Sequence, residues 1–440
     1  MDNLKFRITG LRAKERLDRS ANQDIIDLPY STYKPNLSQY ANRDDALERL
    51  VHQYLEPWLP ISATASTGRI TQSMLAAMEY SYKGGSVRIR ISHGRIYYRK
   101  LVYWKQTYRT QRMAWYLAFL RDLLDTGYLD KDLHTDFVLY LGDGPKVAAD
   151  TFTSDAGFPL FSLRTSQVHL DIPVPDPTAF GSNGNYLWPD EARAIPWSQR
   201  IPKAVFRGRG SCLKMQADNW HFCNRVKAAQ LASPLLDIGI IEWNQLYGSA
   251  KTLFDAPSKQ DIESSTNVSL KPPLDYHAQA KYQMIIDLDG GLGSSRRPGI
   301  LASGSLLLAQ DSPWYVHWEP LAKPGREYLP ISRTLTDLSD VVERAVDPAN
   351  QEKIRAVSEN GKRFADKFTS LPSARKYMRI LLIEYSKLLE LFVANEPIKL
   401  DYCQRPGNSE IENGPIGCSK SWLEYNGHLP LSISNDNQVK

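Results

Sequence analysis

Nowhere in this 440-residue chain do apolar residues run together for the roughly 18 positions that a membrane-spanning helix needs. The opening MDNLKFRITGL is too polar for a secretory leader. As written, the chain is expected to have no membrane span and to be cytoplasmic, or to belong to the ER or Golgi lumen had a leader been removed. Cysteine is scarce: Cys212, Cys223, Cys403 and Cys418 lack CxxC spacing, so a zinc site is not expected. Three disulfide pairings are formally open, and reduced structural thiols are the default. Nor is there a strong excess of one charge. The 54 basic and 49 acidic residues leave a net +5, which suits an anionic small molecule and falls short of a dedicated nucleic-acid binder. No internal repeat is visible, and sequons occur at Asn36 and Asn267.

What is present is ordinary globular composition, 42% hydrophobic and 23% charged, which excludes a mainly disordered or fibrous chain. The length exceeds what one core usually supports, so two lobes with a cleft between them are expected.

A helix is expected near 44–54, followed by the alternating SVRIRISHGRIYYRKLVYW, which predicts a hairpin turning at His93-Gly94. Alternation places Val87, Ile89 and Ile91 on one face and the arginines, including Arg88 and Arg90, on the other. That second face is expected to be wet rather than a nucleic-acid ribbon. Helical spacing over 113–124 ends at Gly127, a suitable left-handed stop. The apolar run 138–141 then meets Gly142-Asp143-Gly144-Pro145, putting Asp143 at the C-terminal edge of a buried strand, where open α/β sheets bind ligands. Residues 181–196, rich in Gly, Asn and Pro, look like a hinge. Further strands are expected at KAVFRGRGS, PLLDIGIIEW, YQMIIDLDG and GSLLLAQ, with helices over 350–368 and about 374–391. Strands alternating with helices imply parallel α/β architecture.

The most informative stretch is KYQMIIDLDGGLGSSRRPGILASGSLLL. Gly290, Gly291 and Gly293 let backbone approach a bulky anion, and Ser294 and Ser295 offer donors. The following helix start adds the positive end of its dipole. Arg296 or Arg297 can clamp phosphate oxygens with a bidentate fork that stays charged.

The ordered series YLGDGP, DIPVP, VFRGRGS, LLDIGI, KYQ, SSRR, SGSLLL, WYVHWEPL, REYLPI and TDLSDVVE resembles glycosyltransferase family 90. That family includes the Rumi-type protein O-glucosyltransferases and fungal capsule-associated xylosyltransferases. The resemblance implies a GT-B-like α/β fold of two Rossmann-type lobes with the active site in the interlobe cleft. It further implies an inverting, metal-independent transfer of glucose or xylose from a UDP-sugar to a hydroxyl of a protein or glycan, with no cofactor beyond the donor.

Position by position, Asp143 matches the general base, and Arg296 matches the arginine that binds and stabilises UDP. Arg207 and Gly208 match the strand-Arg-Gly element near the diphosphate, Asp237 the acidic strand position, and Gly293, Ser294 and Ser295 the phosphate loop. The expected organisation is an acceptor-side lobe carrying the base over 1–195 and a donor-binding lobe over 196–370. A helix over 371–396 packs back on the lobes, and 397–440 forms a polar tail. Two alternatives accompany this expectation. One is a metal-dependent GT-A-type transferase using Asp287 and Asp289, and the other is a non-catalytic nucleotide-sugar- or carbohydrate-binding descendant. Nucleic acid and membrane are not expected partners.

Overall fold

The computed structural model describes residues 45–59, 70–99, 107–149, 159–176, 190–210, 223–231, 233–243, 259–390 and 423–425. Two helices, α1 (Ala46–Leu55) and α2 (Gln72–Ser81), precede the hairpin of β1 (Ser86–Ser92) and β2 (Arg95–Arg99). Helix α3 (Thr107–Asp125) leads into β3 (Thr135–Tyr140), β4 (Leu160–Ser162) and β5 (Ile172–Pro173). There follow α4 (Asp190–Ala194), β6 (Ile201–Arg209), α5 (Asn224–Gln230), β7 (Leu236–Glu242), α6 (Lys259–Thr266), α7 (Tyr276–Ala280) and β8 (Tyr282–Asp287). Helix α8 (Arg297–Ser303), β9 (Leu306–Gln310) and β10 (Leu329–Ile331) come next. Last are α9 (Leu338–Val346), α10 (Gln351–Phe368), α11 (Leu371–Ser386) and β11 (Leu423–Tyr425).

The strands form two sheets. The second, ordered β10-β9-β8-β6-β7, is parallel in every pairing. Numbered from β6, this is the doubly wound order 2-1-3-4-5, in which the direction of winding reverses between β6 and β8. Its central strands β8 and β9 are buried on both faces, as a parallel sheet covered by helices on each side requires. Phe206, Met284, Ile286, Leu306 and Leu308 enter one core, whereas Val205, Ile285 and Leu307 enter the other.

The first sheet, β11-β2-β1-β3-β4-β5, departs from the Rossmann-type expectation because it is mixed. Strands β3, β4 and β5 run parallel to one another, while β1 is antiparallel to both β2 and β3, and β11 is antiparallel to β2. The reason is local. His93 and Gly94 both adopt positive φ, 50° and 69°, the geometry of a two-residue turn that sends the chain straight back beside itself. Strand β11 lies within the stretch expected to be a polar tail, and the hinge expected over 181–196 is described only from residue 190. Helix α11 contributes Tyr377, Leu381 and Tyr385 to the core of the first sheet, and the Tyr377 hydroxyl donates to the Pro173 carbonyl at 2.7 Å.

Two expectations need correction here. The arginine face of the hairpin is covered by α2, and Arg88 is buried. The guanidiniums of Arg88 and Arg90 converge on the buried Asp136 carboxylate at 2.8 and 2.9 Å, and Arg99 pairs with buried Glu79 at 2.6 Å. Burial of so many charges is tolerated because each is matched by a carboxylate supplied by another element, which alternation along one strand does not reveal. Cys223 is not a reduced thiol: it is disulfide-bonded, and Cys212, Cys403 and Cys418 all lie outside the described residues. Spatial proximity decides such pairing, and spacing along the chain does not. Among the described residues, no helix is long and apolar enough to cross a membrane.

Candidate active site

The C-terminal ends of β6 and β8 meet at the winding reversal of the second sheet, and the glycine-rich loop leaves from there. Asp287 is the last residue of β8 and is fully buried. Its carboxylate accepts from the Ser294 hydroxyl at 2.6 Å, from Arg296 Nη2 at 3.3 Å and from Arg297 Nε at 2.9 Å. Burial raises the pKa of such a group, yet the charges of Arg297 and Arg296 outweigh burial and hold it below the ordinary carboxylate range. Asp287 therefore anchors the loop, leaving neither oxygen free of a donor. Asp289 is pushed the other way by burial, and its amide donates to Gln310 Oε1 at 2.9 Å. Among the described residues, no three His, Cys, Asp or Glu are grouped so as to hold a metal ion.

The paired arginines separate into two roles. Arg297 is buried between Asp287 and Glu319, with Nη1 to Glu319 Oε1 at 2.6 Å. Glu319 in turn accepts from the Val316 amide at 2.8 Å, so this arginine ties the WYVHWEPL segment to the start of α8. Arg296 keeps part of its side chain in solvent. Its guanidinium lies 5.2 Å from the Phe206 ring centroid and donates to the Arg207 carbonyl at 3.1 Å. Arg225 lies 5.6 Å from the same ring and donates to the carbonyls of Leu288 and Asp289, both at 3.1 Å. Two cations thus flank Phe206 at the strand ends.

Gly208 is needed there, because a Cβ would come within 2.6 Å of the Phe206 ring. Gly293 sits at φ 59°, a left-handed conformation that glycine adopts at no steric cost. Ser294 both donates to Asp287 and accepts the Arg296 amide at 3.2 Å, while Ser295 is exposed beside it.

Arg207 and Asp237 are brought together, but they face each other. The Arg207 guanidinium makes hydrogen bonds to the Pro272, Phe206 and Asp237 carbonyls and to Asp237 Oδ1. Asp237 also accepts from Lys271 at 3.2 Å and from the Tyr282 hydroxyl at 2.7 Å. Burial opposes its charge, but Tyr282 and Arg207 outweigh burial and lower its pKa. It is the Arg207 backbone, through its carbonyl, that reaches Arg296.

Asp143 lies just beyond β3 in the first sheet, half-exposed, with Oδ1 held by Arg112 of α3 at 2.8 Å. Arg112 also donates to the Leu141 carbonyl at 3.1 Å. Burial works against its charge, but Asp143 and Asp176 raise its pKa above the ordinary value. The loop after Asp143 is pinned by buried Asp171, which accepts from the Lys146 and Val147 amides at 2.9 and 2.7 Å and from Ser162 at 2.5 Å.

The two sheets meet at this loop. A Cβ on Gly144 would lie 2.6 Å from the Leu292 side chain, and one on Gly293 would lie 3.1 Å from Arg164 Nε. Arg164 Nη1 donates to the Asp143 carbonyl at 3.5 Å, and Thr165 and Tyr315 exchange a pair of backbone hydrogen bonds, each 3.0 Å. The strand-end loop of the first sheet therefore abuts the glycine-rich loop of the second. Sequence reasoning assigned no role to Arg112, Arg164, Arg225 or His317. Only His317 stood within a singled-out motif.

The glycosyl transferase family 90 model matches residues 46–412. Human protein O-glucosyltransferase 3 is 28% identical over 52% of this chain and 42% of its own length. Drosophila melanogaster O-glucosyltransferase rumi is 23% identical over 59% of this chain and 62% of its own. An uncharacterised protein, 179R, of Invertebrate iridescent virus 6 is 28% identical over 46% of this chain and 18% of its own. The chain thus spans from under a fifth to about three fifths of the length of these relatives.

Proposed function

Because the chain belongs to glycosyl transferase family 90, we propose that it is an inverting, metal-independent transferase moving glucose or xylose from a UDP-sugar to a hydroxyl of a protein or glycan. Relatives named as protein O-glucosyltransferases support glucose and a protein hydroxyl as the first pair to test. The observation that carries the reading is the meeting of two loops. Leu292, in the loop that leads to Ser294 and Arg296, packs on Gly144, the neighbour of Asp143. A cation for a leaving diphosphate and a carboxylate for an incoming hydroxyl are thereby held on facing strand ends of two sheets, which supports a GT-B-like arrangement with the reaction between them.

In the proposed reaction the acceptor oxygen attacks the anomeric carbon from the face opposite the diphosphate. Its proton passes to the Asp143 carboxylate, whose Oδ1 is held by Arg112 at 2.8 Å. The bond from the anomeric carbon to phosphate oxygen breaks, and UDP leaves with the electron pair. Arg296, in a partly desolvated position beside Phe206, counters the charge that accumulates on the departing phosphate. Arg207 positions Arg296 through its carbonyl. Metal independence is supported by Asp287, whose oxygens are already engaged by Arg296, Arg297 and Ser294. The disulfide at Cys223 favours an oxidising compartment over the cytoplasm.

The test is thermal stabilisation by UDP, UDP-glucose and UDP-xylose in excess EDTA, followed by donor hydrolysis with the best binder. Stabilisation by UDP and turnover of one UDP-sugar in EDTA are expected. Absence of any shift, or turnover only after manganese is restored, would overturn the proposal.

A further inference from the structure

A cavity lies beside the glycine-rich loop, lined by Arg164 and Asp176 from the side of the first sheet. Ser294 and Ser295 of the glycine-rich loop line it too, as do His317 and Trp318 of the segment after β9. His317 is buried, and its Nδ1 has no hydrogen-bond partner. Its orientation is set by neighbours that leave the ring nitrogens alone. Its carbonyl accepts from the Tyr54 hydroxyl at 3.3 Å, and its ring packs 4.6 Å from that of Tyr377. The segment itself is held by the Arg297–Glu319 pair and by the exchange between Thr165 and Tyr315. A buried polar atom without a partner costs stability, and in native structures such an atom calls for a specific reason.

We propose that the free ring nitrogen of His317 hydrogen-bonds a hydroxyl of the donor's sugar, making His317 a specificity-determining residue. The inference rests on the donor reading above. Position identifies the occupant. The cavity touches Ser294 and Ser295, and also Arg164, which donates to the Asp143 carbonyl at 3.5 Å. In a UDP-sugar, the group lying between the diphosphate and the attacking hydroxyl is the glycosyl unit. Chemistry agrees. Burial pushes the imidazole down to about 3, so at neutral pH it is an uncharged donor-acceptor that suits a hydroxyl better than a phosphate. Trp318 and Pro298 supply an apolar wall for the C–H face of a pyranose.

The test compares wild type, His317→Phe and His317→Gln by calorimetric titration with UDP, UDP-glucose and UDP-xylose, alongside thermal melts. His317→Phe removes an unpaired polar atom at similar shape, so its melting temperature is expected to equal or exceed that of wild type. Its Kd for UDP should stay within about threefold, while its Kd for the preferred UDP-sugar weakens roughly tenfold or more, with partial recovery in His317→Gln. An unchanged UDP-sugar affinity in the Phe variant would overturn the inference. So would an equal loss for UDP and UDP-sugar, which would mark a packing role. Should the Phe variant not fold, the same comparison is decided by the Gln variant. Failure of the wild type itself to bind UDP would instead remove the donor reading on which the inference stands.

Discussion

Arg112, on the helix ahead of β3, reaches Oδ1 of Asp143 at 2.8 Å. A carboxylate held by one oxygen is presented by the other in a fixed direction. Arg112→Gln is therefore expected to lower kcat about tenfold or more with the donor KM nearly unchanged, because the base loses its orientation while the donor loop is untouched. Arg112→Lys should recover part of the loss. Steady-state kinetics on both variants check this, and a change confined to donor KM would contradict it.

Adjacent arginines should fail in different ways. Arg296→Ala is expected to reduce kcat about 100-fold while melting close to wild type, as for removal of one charged donor to a departing anion. Arg297→Ala leaves buried Glu319 without its cation and Asp287 with Arg296 alone, and is expected to cost about 3–5 kcal/mol of stability. Kinetics and denaturant titration of the pair separate the two roles, and equal melting temperatures would refute the division.

Asp171 gives the protein a specific pH dependence. Burial raises its pKa from 3.8 to about 6, against the hydrogen bonds from Ser162, Val147 and Lys146. A folded-state pKa above the unfolded one favours folding while the group is protonated, and this contribution fades as pH rises from about 4 through about 6. The contribution amounts to about 3 kcal/mol. Relative to Asp171→Asn, the wild type is expected to lose stability across that window, with the difference levelling off above pH 7. Chemical denaturation of both proteins from pH 4 to 8 measures it. A difference independent of pH would remove Asp171 as the titrating group.

Asp136 is the counter-charge for two hairpin arginines, Arg88 and Arg90. Asp136→Ala should destabilise the first sheet by about 3–5 kcal/mol, since it strands Arg88 in the interior. UDP affinity measured below the lowered melting temperature should be unaffected, because the donor loop belongs to the other sheet. A parallel loss of UDP binding would show that the two sheets are energetically coupled.

Local chemistry was legible in the sequence wherever it acts along the chain. His93-Gly94 turned the hairpin, Gly127 ended its helix at φ 73°, and apolar runs became the buried parallel strands of the second sheet. The order of short motifs carried the family, and the glycine-serine-arginine loop carried the candidate diphosphate site, because backbone freedom and positive charge are properties of the residues themselves. Tertiary structure alone decided what each charged group faces. Alternation along β1 could not tell a wet arginine face from one closed over Asp136, and two adjacent arginines look alike until one is buried against Glu319 and the other left at the strand end. The family resemblance assigned Arg207 and Asp237 separately to the donor site, yet they pair with each other. The partner of Asp143 and the wall formed by Leu292 on Gly144 join residues about 30 and about 150 positions apart, and the unpaired nitrogen of His317 is left by what packs around it. Such contacts depend on how two sheets pack, and no local spacing encodes them.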